Sequence, residues 1–358
     1  MTAETLQPKP STQRTQRTQR SFCTSAFRGV RAFTFVSFVS FVSTGCGGSP
    51  ASTRPVRIAV GGQNQLTYLP ATLARELGFY REAGLDVELQ DHAGGAKSLQ
   101  ALIGGSADVV CGFYDHTIQM AAEGRALVAF VSMLRFPGLV LVTSPKSPAK
   151  TIEELKGRVA GVTSPGSSSH MLLQFLLRRH GVPVDSVSVT GIGAVGTAVA
   201  AMEHGTVDAA MMADPAFTIV QRRSPGGRVL ADLRHAEGVK TALDTHTYPA
   251  SVFYSDAEWV RAHRDTAARL AQAMKRTLEW MQTHAPQEIA AKLPAEFRGE
   301  DSALFVDALT DTMEMYSPDG VMQEEGARAV HTVLSQLNDK VKSATIDLSK
   351  TYTNEFVR

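Results

Sequence analysis

Two stretches one hundred positions apart follow the same pattern: Ala101-Leu102-Ile103-Gly104-Gly105-Ser106-Ala107-Asp108-Val109-Val110 and Ala201-Met202-Glu203-His204-Gly205-Thr206-Val207-Asp208-Ala209-Ala210. Each reads as a helix end, a glycine, Ser or Thr, a small apolar residue, Asp and then a buried strand. Each helix follows a glycine-rich loop, Gly94-Gly95 in the first case and residues 191–196 in the second. The repetition suggests two lobes built on one plan.

Strand, loop and helix alternate around both copies. Residues 56–60 read as a strand, Leu73, Leu77 and Phe79-Tyr80 as one helix stopped near Gly84, and residues 85–89 as an alternating strand. Buried strands follow at 107–112, 127–133 and 139–143. After a proline-punctuated turn at 144–148 the pattern restarts with strand 159–162, helix 171–179 and strands at 187–189 and 207–212. Units of this length dictate an α/β fold with mixed, mostly parallel sheets and flanking helices. Strands at 229–230 and 250–254 come last, and residues 256–341 are helical, which gives the chain a helical C-terminal part.

Thirty-six Lys and Arg against thirty-five Asp and Glu leave a formal charge of +1, so no global field draws in nucleic acid. Cys23, Cys46 and Cys111 are too few and too scattered for a disulfide framework or a Cys-x-x-Cys zinc site; Cys111 reads as a buried, inert thiol. Residues 191–196, Gly-Ile-Gly-Ala-Val-Gly, have the spacing of a dinucleotide loop. Asp214, where the acidic partner would stand, precedes Pro215 and reads as a helix cap, and the first strand lacks the motif. With no nucleophile elbow, Walker loop or His-Glu-x-x-His, the sequence implies no catalytic residue, no cofactor and no metal.

The first 45 residues resemble an export signal. Thr-Gln-Arg occurs three times over residues 12–20, no acid follows Glu4 in this region, and residues 33–43 are apolar with a threefold Phe-Val-Ser, too short for a good membrane span. Cys46 after Thr44-Gly45 resembles the lipobox of bacterial lipoproteins, with Ser43 where leucine is usual. Either Cys46 is lipidated or the signal peptide is simply cleaved. Residues 46–55 read as a flexible tether.

Residues 163–170, Thr-Ser-Pro-Gly-Ser-Ser-Ser-His, join strand 159–162 to a helix. Such a junction presents unpaired N–H groups at the positive end of a helix, and the hydroxyls add donors, so a polar group or an anion is favoured there. Plain N-capping by serine is the alternative, and the two roles are compatible. Residues 63–65, Gly94-Gly95, residues 113–115, 163–169, 191–194 and 211–214 all follow the carboxyl ends of predicted strands, where ligands bind in such sheets. Their amides, hydroxyls and aromatic faces suit reversible binding of a small molecule.

Four segments carry a resemblance: residues 77–87 (Leu-Gly-Phe-Tyr-Arg-Glu-Ala-Gly-Leu-Asp-Val), 104–109, 151–160 (Thr-Ile-Glu-Glu-Leu-Lys-Gly-Arg-Val-Ala), and 205–209 with Asp214-Pro215. They resemble the substrate-binding proteins of ABC importers in the nitrate, taurine, alkanesulfonate and thiamine-precursor (NitT/TauT) group. The resemblance implies a two-lobe, Venus-flytrap fold of the periplasmic binding type, with residues 56–143 plus 249–345 in the first lobe, 144–248 in the second and 346–358 as a tail. It implies an exported, periplasmic or cell-surface monomer that delivers a small ligand to an ABC permease and its ATPase, with the membrane reached through lipid on Cys46. The ligand would be a sulfonate, an aromatic acid or a heterocycle such as a thiamine pyrimidine precursor. The family's contacts fall on Gln63, Asn64, Phe113, Tyr114, Ser167, Ser168, Ser169 and Asp214, with Tyr68 and Phe136 further out. No Lys or Arg stands in these loops, Lys97 being nearest, which departs from the sulfonate and nitrate patterns; Phe113, Tyr114 and Asp214 suit a flat ligand that could carry positive charge. Two other readings stay open. One is an enzyme of the pyrimidine-synthase-like branch of this fold, whose cysteine-rich segment is lacking here, leaving Cys111 and His116. The other is a ligand sensor.

Overall fold

The structure, a computed structural model, describes residues 54–299 and 301–358; the export segment and Cys46 lie outside them. Ten strands build two five-stranded sheets: β1 (Val56–Val60), β2 (Val87–Asp91), β3 (Val109–Phe113), β4 (Leu127–Ser132), β5 (Leu139–Thr143), β6 (Val159–Val162), β7 (Ser188–Gly191), β8 (Ala209–Ala213), β9 (Val229–Asp232) and β10 (Ser251–Asp256). The orders are β2-β1-β3-β10-β4 and β7-β6-β8-β5-β9. They match place for place. β1 lies parallel to β2 and β3, as β6 does to β7 and β8, and each sheet takes a single reversed strand, β10 in the first and β5 in the second.

The repeated sequence unit is also repeated geometry. Ser106 Oγ donates to the Ala101 carbonyl at 3.0 Å, and Thr206 Oγ1 to the Ala201 carbonyl at 3.1 Å. Each aspartate then staples the start of one strand to the start of its parallel neighbour. Asp108 accepts from the Arg57 backbone N–H at 2.9 Å and from its guanidinium at 2.8 and 3.1 Å. Asp208 accepts from the Val159 N–H at 3.0 Å and from Arg158 at 3.3 Å.

Burial works against the Asp108 carboxylate, but the Arg57 bonds outweigh it and hold its pKa below the ordinary aspartate value. A depressed folded pKa contributes stability that is present above the unfolded value and is lost as pH falls through the folded one. Asp108→Asn should therefore cost about 1 kcal/mol near neutrality. The gap to the wild-type melting temperature should shrink below about pH 4; a gap independent of pH would refute this account.

The chain crosses between the sheets earlier than the sequence indicates. Residues 139–143, read as part of the first lobe, form β5 and pair with β8 and β9, so the crossing falls within residues 133–138. β4 and β5 are both almost uniformly buried, and nothing in composition distinguishes a strand that stays from one that crosses. The return crossing, residues 244–250, runs beside the first: the Tyr248 N–H donates to the Arg135 carbonyl at 2.9 Å and the Ala250 N–H to the Leu134 carbonyl at 3.2 Å. Residues 346–358, read as a tail, cover the edge of β4: Tyr352 bridges to Ala129, and Phe356 and Val357 are buried. The long helix Arg264–Thr283 packs its apolar stripe on helices Leu69–Glu76 and Phe79–Glu82 beside the first sheet. Among the described residues no helix is long and apolar enough to cross a membrane.

Candidate functional site

The matched sheets bring the loops after β1, β3 and β6 to one point. There they bound a partly open cavity of about 20 Å³, room for roughly one water molecule. Gly61, Gln65, Thr67, Tyr68, Gly95 and Phe113 line it from the first lobe; Leu139, Thr163, Ser167, Ser168 and Ser169 line it from the second.

Around the cavity the lobes touch. Gly94 has φ +112°, and a Cβ built on it would stand 2.7 Å from Ser164 Oγ; at Gly62, φ +99°, it would meet the Ala194 Cβ at 2.8 Å. Only glycine permits both the backbone and the approach. The Leu66 N–H donates to the Asp214 carbonyl at 2.8 Å, and Ser168 Oγ donates to Asp115 Oδ1 at 2.8 Å. At the rim Glu314 faces His235 Nδ1 at 3.2 Å and the Ala236 N–H at 3.4 Å. The cleft is closed.

The serine loop is rigid through its own bonds. Ser167 Oγ lies 2.9 Å from both Thr163 Oγ1 and Ser164 Oγ and accepts from the Ser164 N–H at 3.1 Å; Ser169 Oγ accepts from the Thr163 N–H at 3.1 Å. Capping in the simple sense does not occur: Ser167 occupies the N-cap of helix Ser168–Arg179, yet its hydroxyl serves the loop. Among the described residues the backbone N–H groups of Ser168 and Ser169 meet no protein acceptor, so the helix start stays open toward the cleft.

Asp115, in the strand-end stretch 113–115, begins helix Asp115–Ala122 and is only 3% exposed. Burial pushes its carboxyl pKa up, against His116, the Ser168 hydroxyl and local N–H groups, which favour the charged form. His116 is buried beside it, with Nδ1 3.0 Å from the Tyr254 hydroxyl and Nε2 without a partner among the described residues. Tyr68 and Phe113 meet edge to face, ring centres 6.1 Å apart. Burial also raises the Tyr68 pKa, so its hydroxyl stays protonated.

The structure separates the remaining sequence-derived residues from the cavity. Gln63 turns its amide to Thr72 Oγ1 at 3.0 Å, and Asn64 is exposed; two residues on, Gln65 lines the wall and donates to the Gly61 carbonyl at 2.8 Å. Tyr114 points away from Phe113 and bonds Thr351, packing edge-on against Tyr352. Phe136 is buried in the crossing segment under the Arg135 guanidinium. Asp214 is spent inside the second lobe: Oδ2 accepts from Arg234 at 3.0 Å and Oδ1 from the Thr218 N–H and hydroxyl at 3.0 and 2.7 Å. Strand alternation at 113–114 was a signal for choosing Phe113 over Tyr114. None marked Gln65 over Gln63.

Two sheets of matching order facing each other across a closed polar cleft define the fold of the periplasmic binding proteins. The chain belongs to the NMT1/THI5-like family, whose model matches residues 65–289. A solved protein from Bordetella bronchiseptica RB50 is 37% identical, with TM-score 0.80 over 85% of this chain and 95% of that one. The alkanesulfonate-binding protein SsuA from Xanthomonas axonopodis pv. citri, solved with MOPS, is 18% identical, with TM-score 0.65 over 85% of this chain and all of that one (100%). The ligand-binding component of an ABC-type import system from Staphylococcus aureus is 15% identical, also at 0.65, over 85% of this chain and 98% of its own.

Proposed function

We propose that the chain is the solute-capturing component of an ABC importer, exported and tethered to a membrane through Cys46, and that it binds a small organic molecule in the cleft without converting it. The observation that carries this reading is the convergence on one small cavity of polar groups from both lobes, joined by the Ser168–Asp115 bond. The functions of the Xanthomonas and Staphylococcus proteins support it.

The chemistry of the site favours binding over turnover. Ser168 Oγ hands its hydrogen to a carboxylate, with no imidazole placed between them to act as base, and His116 Nδ1 is taken by Tyr254. Cys111 is fully buried and its thiol pKa is pushed up by burial, so it is no ready nucleophile.

Native mass spectrometry of the purified chain, followed by melting with the molecule it carries, tests the reading. The molecule should be recovered unchanged and should stabilise the chain by about 2.7 kcal/mol at a hundredfold excess over its Kd. Small-angle scattering should show compaction on binding. Chemical conversion of the bound molecule would instead establish an enzyme. Intact mass of the membrane fraction tests the anchor: a mature N-terminus other than Cys46, without acyl mass, removes it.

A further inference from the structure

One histidine holds the serine loop at its turn. Gly166, with φ +84°, is the left-handed joint of residues 163–169, and its N–H donates to His170 Nδ1 at 3.1 Å. A backbone N–H can only donate, so Nδ1 carries a lone pair and the neutral ring keeps its proton on Nε2. The other side-chain bonds of the loop, through Thr163, Ser164, Ser167 and Ser169, join hydroxyls to one another and to backbone groups, none of which titrates near neutrality. His170 is the one member of the stretch 163–170 whose side chain does.

A proton on Nδ1 reverses the sense of the bond, because an imidazolium donates from both nitrogens and the Gly166 N–H then faces a second donor. His170 is also the third residue of helix Ser168–Arg179, where the positive end of the helix disfavours a cation. The charged groups around it do not offset this. Arg178 and Asp185, one of each sign, share its surface groove. Lys97 follows Ala96, the first-lobe residue whose Cβ lies 3.8 Å from where a Cβ on Gly166 would stand. Asp115, across the cleft, bonds Ser168 instead. The ring is half-buried, and burial pushes its pKa below the ordinary imidazole value. A base whose folded pKa is lowered contributes stability that is present above about pH 6.5 and is lost as pH falls through the lowered value.

What Gly166 holds in place is the second lobe's share of the cavity wall. Ser167 follows it, occupies the N-cap and ties Thr163 and Ser164 through its hydroxyl; Ser168 and Ser169, with N–H groups open to the cleft, come next. Thr163 and these three serines line the cavity, whereas His170 does not. The histidine therefore acts through the loop, as a positioning residue.

Resting on the reading that the cleft captures a solute, we infer that His170 is an acid-sensitive clasp on the binding loop. Neutral, it holds Gly166 and keeps the helix start aimed into the cleft. Protonated, it lets Gly166 go, and the loop gives up its hold on the solute.

Heteronuclear NMR of the full chain tests the clasp without a solute. The neutral His170 ring should carry its proton on Nε2, its midpoint should fall below about 6.5, and the Gly166 amide signal should move with that midpoint. A ring protonated on Nδ1, or a Gly166 signal indifferent to the ring, overturns the clasp. Native mass spectrometry then follows the small molecule that the chain carries as purified, after dilution at about pH 7.5 and about pH 5. The wild-type chain should lose it about fivefold or more faster in acid, the effect of one donor left facing another donor. His170→Gln, whose amide oxygen accepts at either pH, should hold the molecule equally at both; His170→Phe, which never accepts, should release it quickly at both. Asp115, His116 and His235 are present unchanged in all three chains, so the comparison isolates His170. Equal acid release from His170→Gln and the wild type overturns the clasp and leaves solute capture standing. A chain that carries no molecule at either pH overturns capture, and acid release with it.

Discussion

Asp214→Ala should lower the unfolding free energy by about 3 kcal/mol, the low end for breaking a buried ion pair, since Asp232 still holds Arg234. The Asp214 side chain is completely buried, and Arg234 is 9% exposed, so the substitution leaves a guanidinium short of one partner in a dry place. Burial disfavours the Arg234 cation, yet its bonds to Asp232 and Asp214 outweigh this and hold its pKa above the ordinary arginine value. The Phe217 ring, 4.7 Å below the guanidinium, fixes it further. Urea melts read the loss. Removing both charges with Asp214→Leu and Arg234→Met should recover part of it, because apolar groups of similar volume can replace a buried pair. Wild-type stability with lost solute affinity would show that Asp214 touches the solute after all.

Gly94→Ala should weaken solute binding by about one to two orders of magnitude and leave the unliganded chain more extended in scattering. The new methyl group stands 2.7 Å from Ser164 Oγ and 3.3 Å from the Thr163 Cβ, both across the cleft, so the clash exists only when the lobes meet. The backbone strain at φ +112° exists in either arrangement and lowers the melting temperature alone. Gly105→Ala separates the two effects. Gly105 also has positive φ, +73°, but nothing lies within 4 Å of its added methyl, so it should melt earlier and bind normally. Equal losses of affinity in both variants would mean that strain, not contact between lobes, is responsible.

Local pattern was readable where chemistry repeats. The Asp108 and Asp208 units announced two lobes of one design because the same residues must tie the same pair of strand ends in each. The serine loop and Phe113 were legible because strand-end position alone brings them to the cavity, whereas Tyr68 came only with the resemblance. What failed to show depends on the other lobe. Asp115 is only one more strand-end residue in sequence, and the approach of Ser168, 53 positions later, is what gives its carboxylate a role. Asp214 looks like a ligand group until Arg234, 20 positions on, claims it. Gly94 reads only as part of a glycine-rich loop, yet it and Gly62 prove to be contact surfaces.

The two crossing segments are bonded to each other as well as to the sheets they join, through Tyr248 and Ala250 on one side and Arg135 and Leu134 on the other. A joint of two independent strings would let one lobe wander, slide and twist over the other. A joint laced into a single ribbon has essentially one soft coordinate, a swing about its own axis. Distances between fluorophores placed on the two lobes should therefore fall into two narrow populations with little between them. On the proposed function, a permease would meet a gate with two positions, and the solute would set only how long each is held.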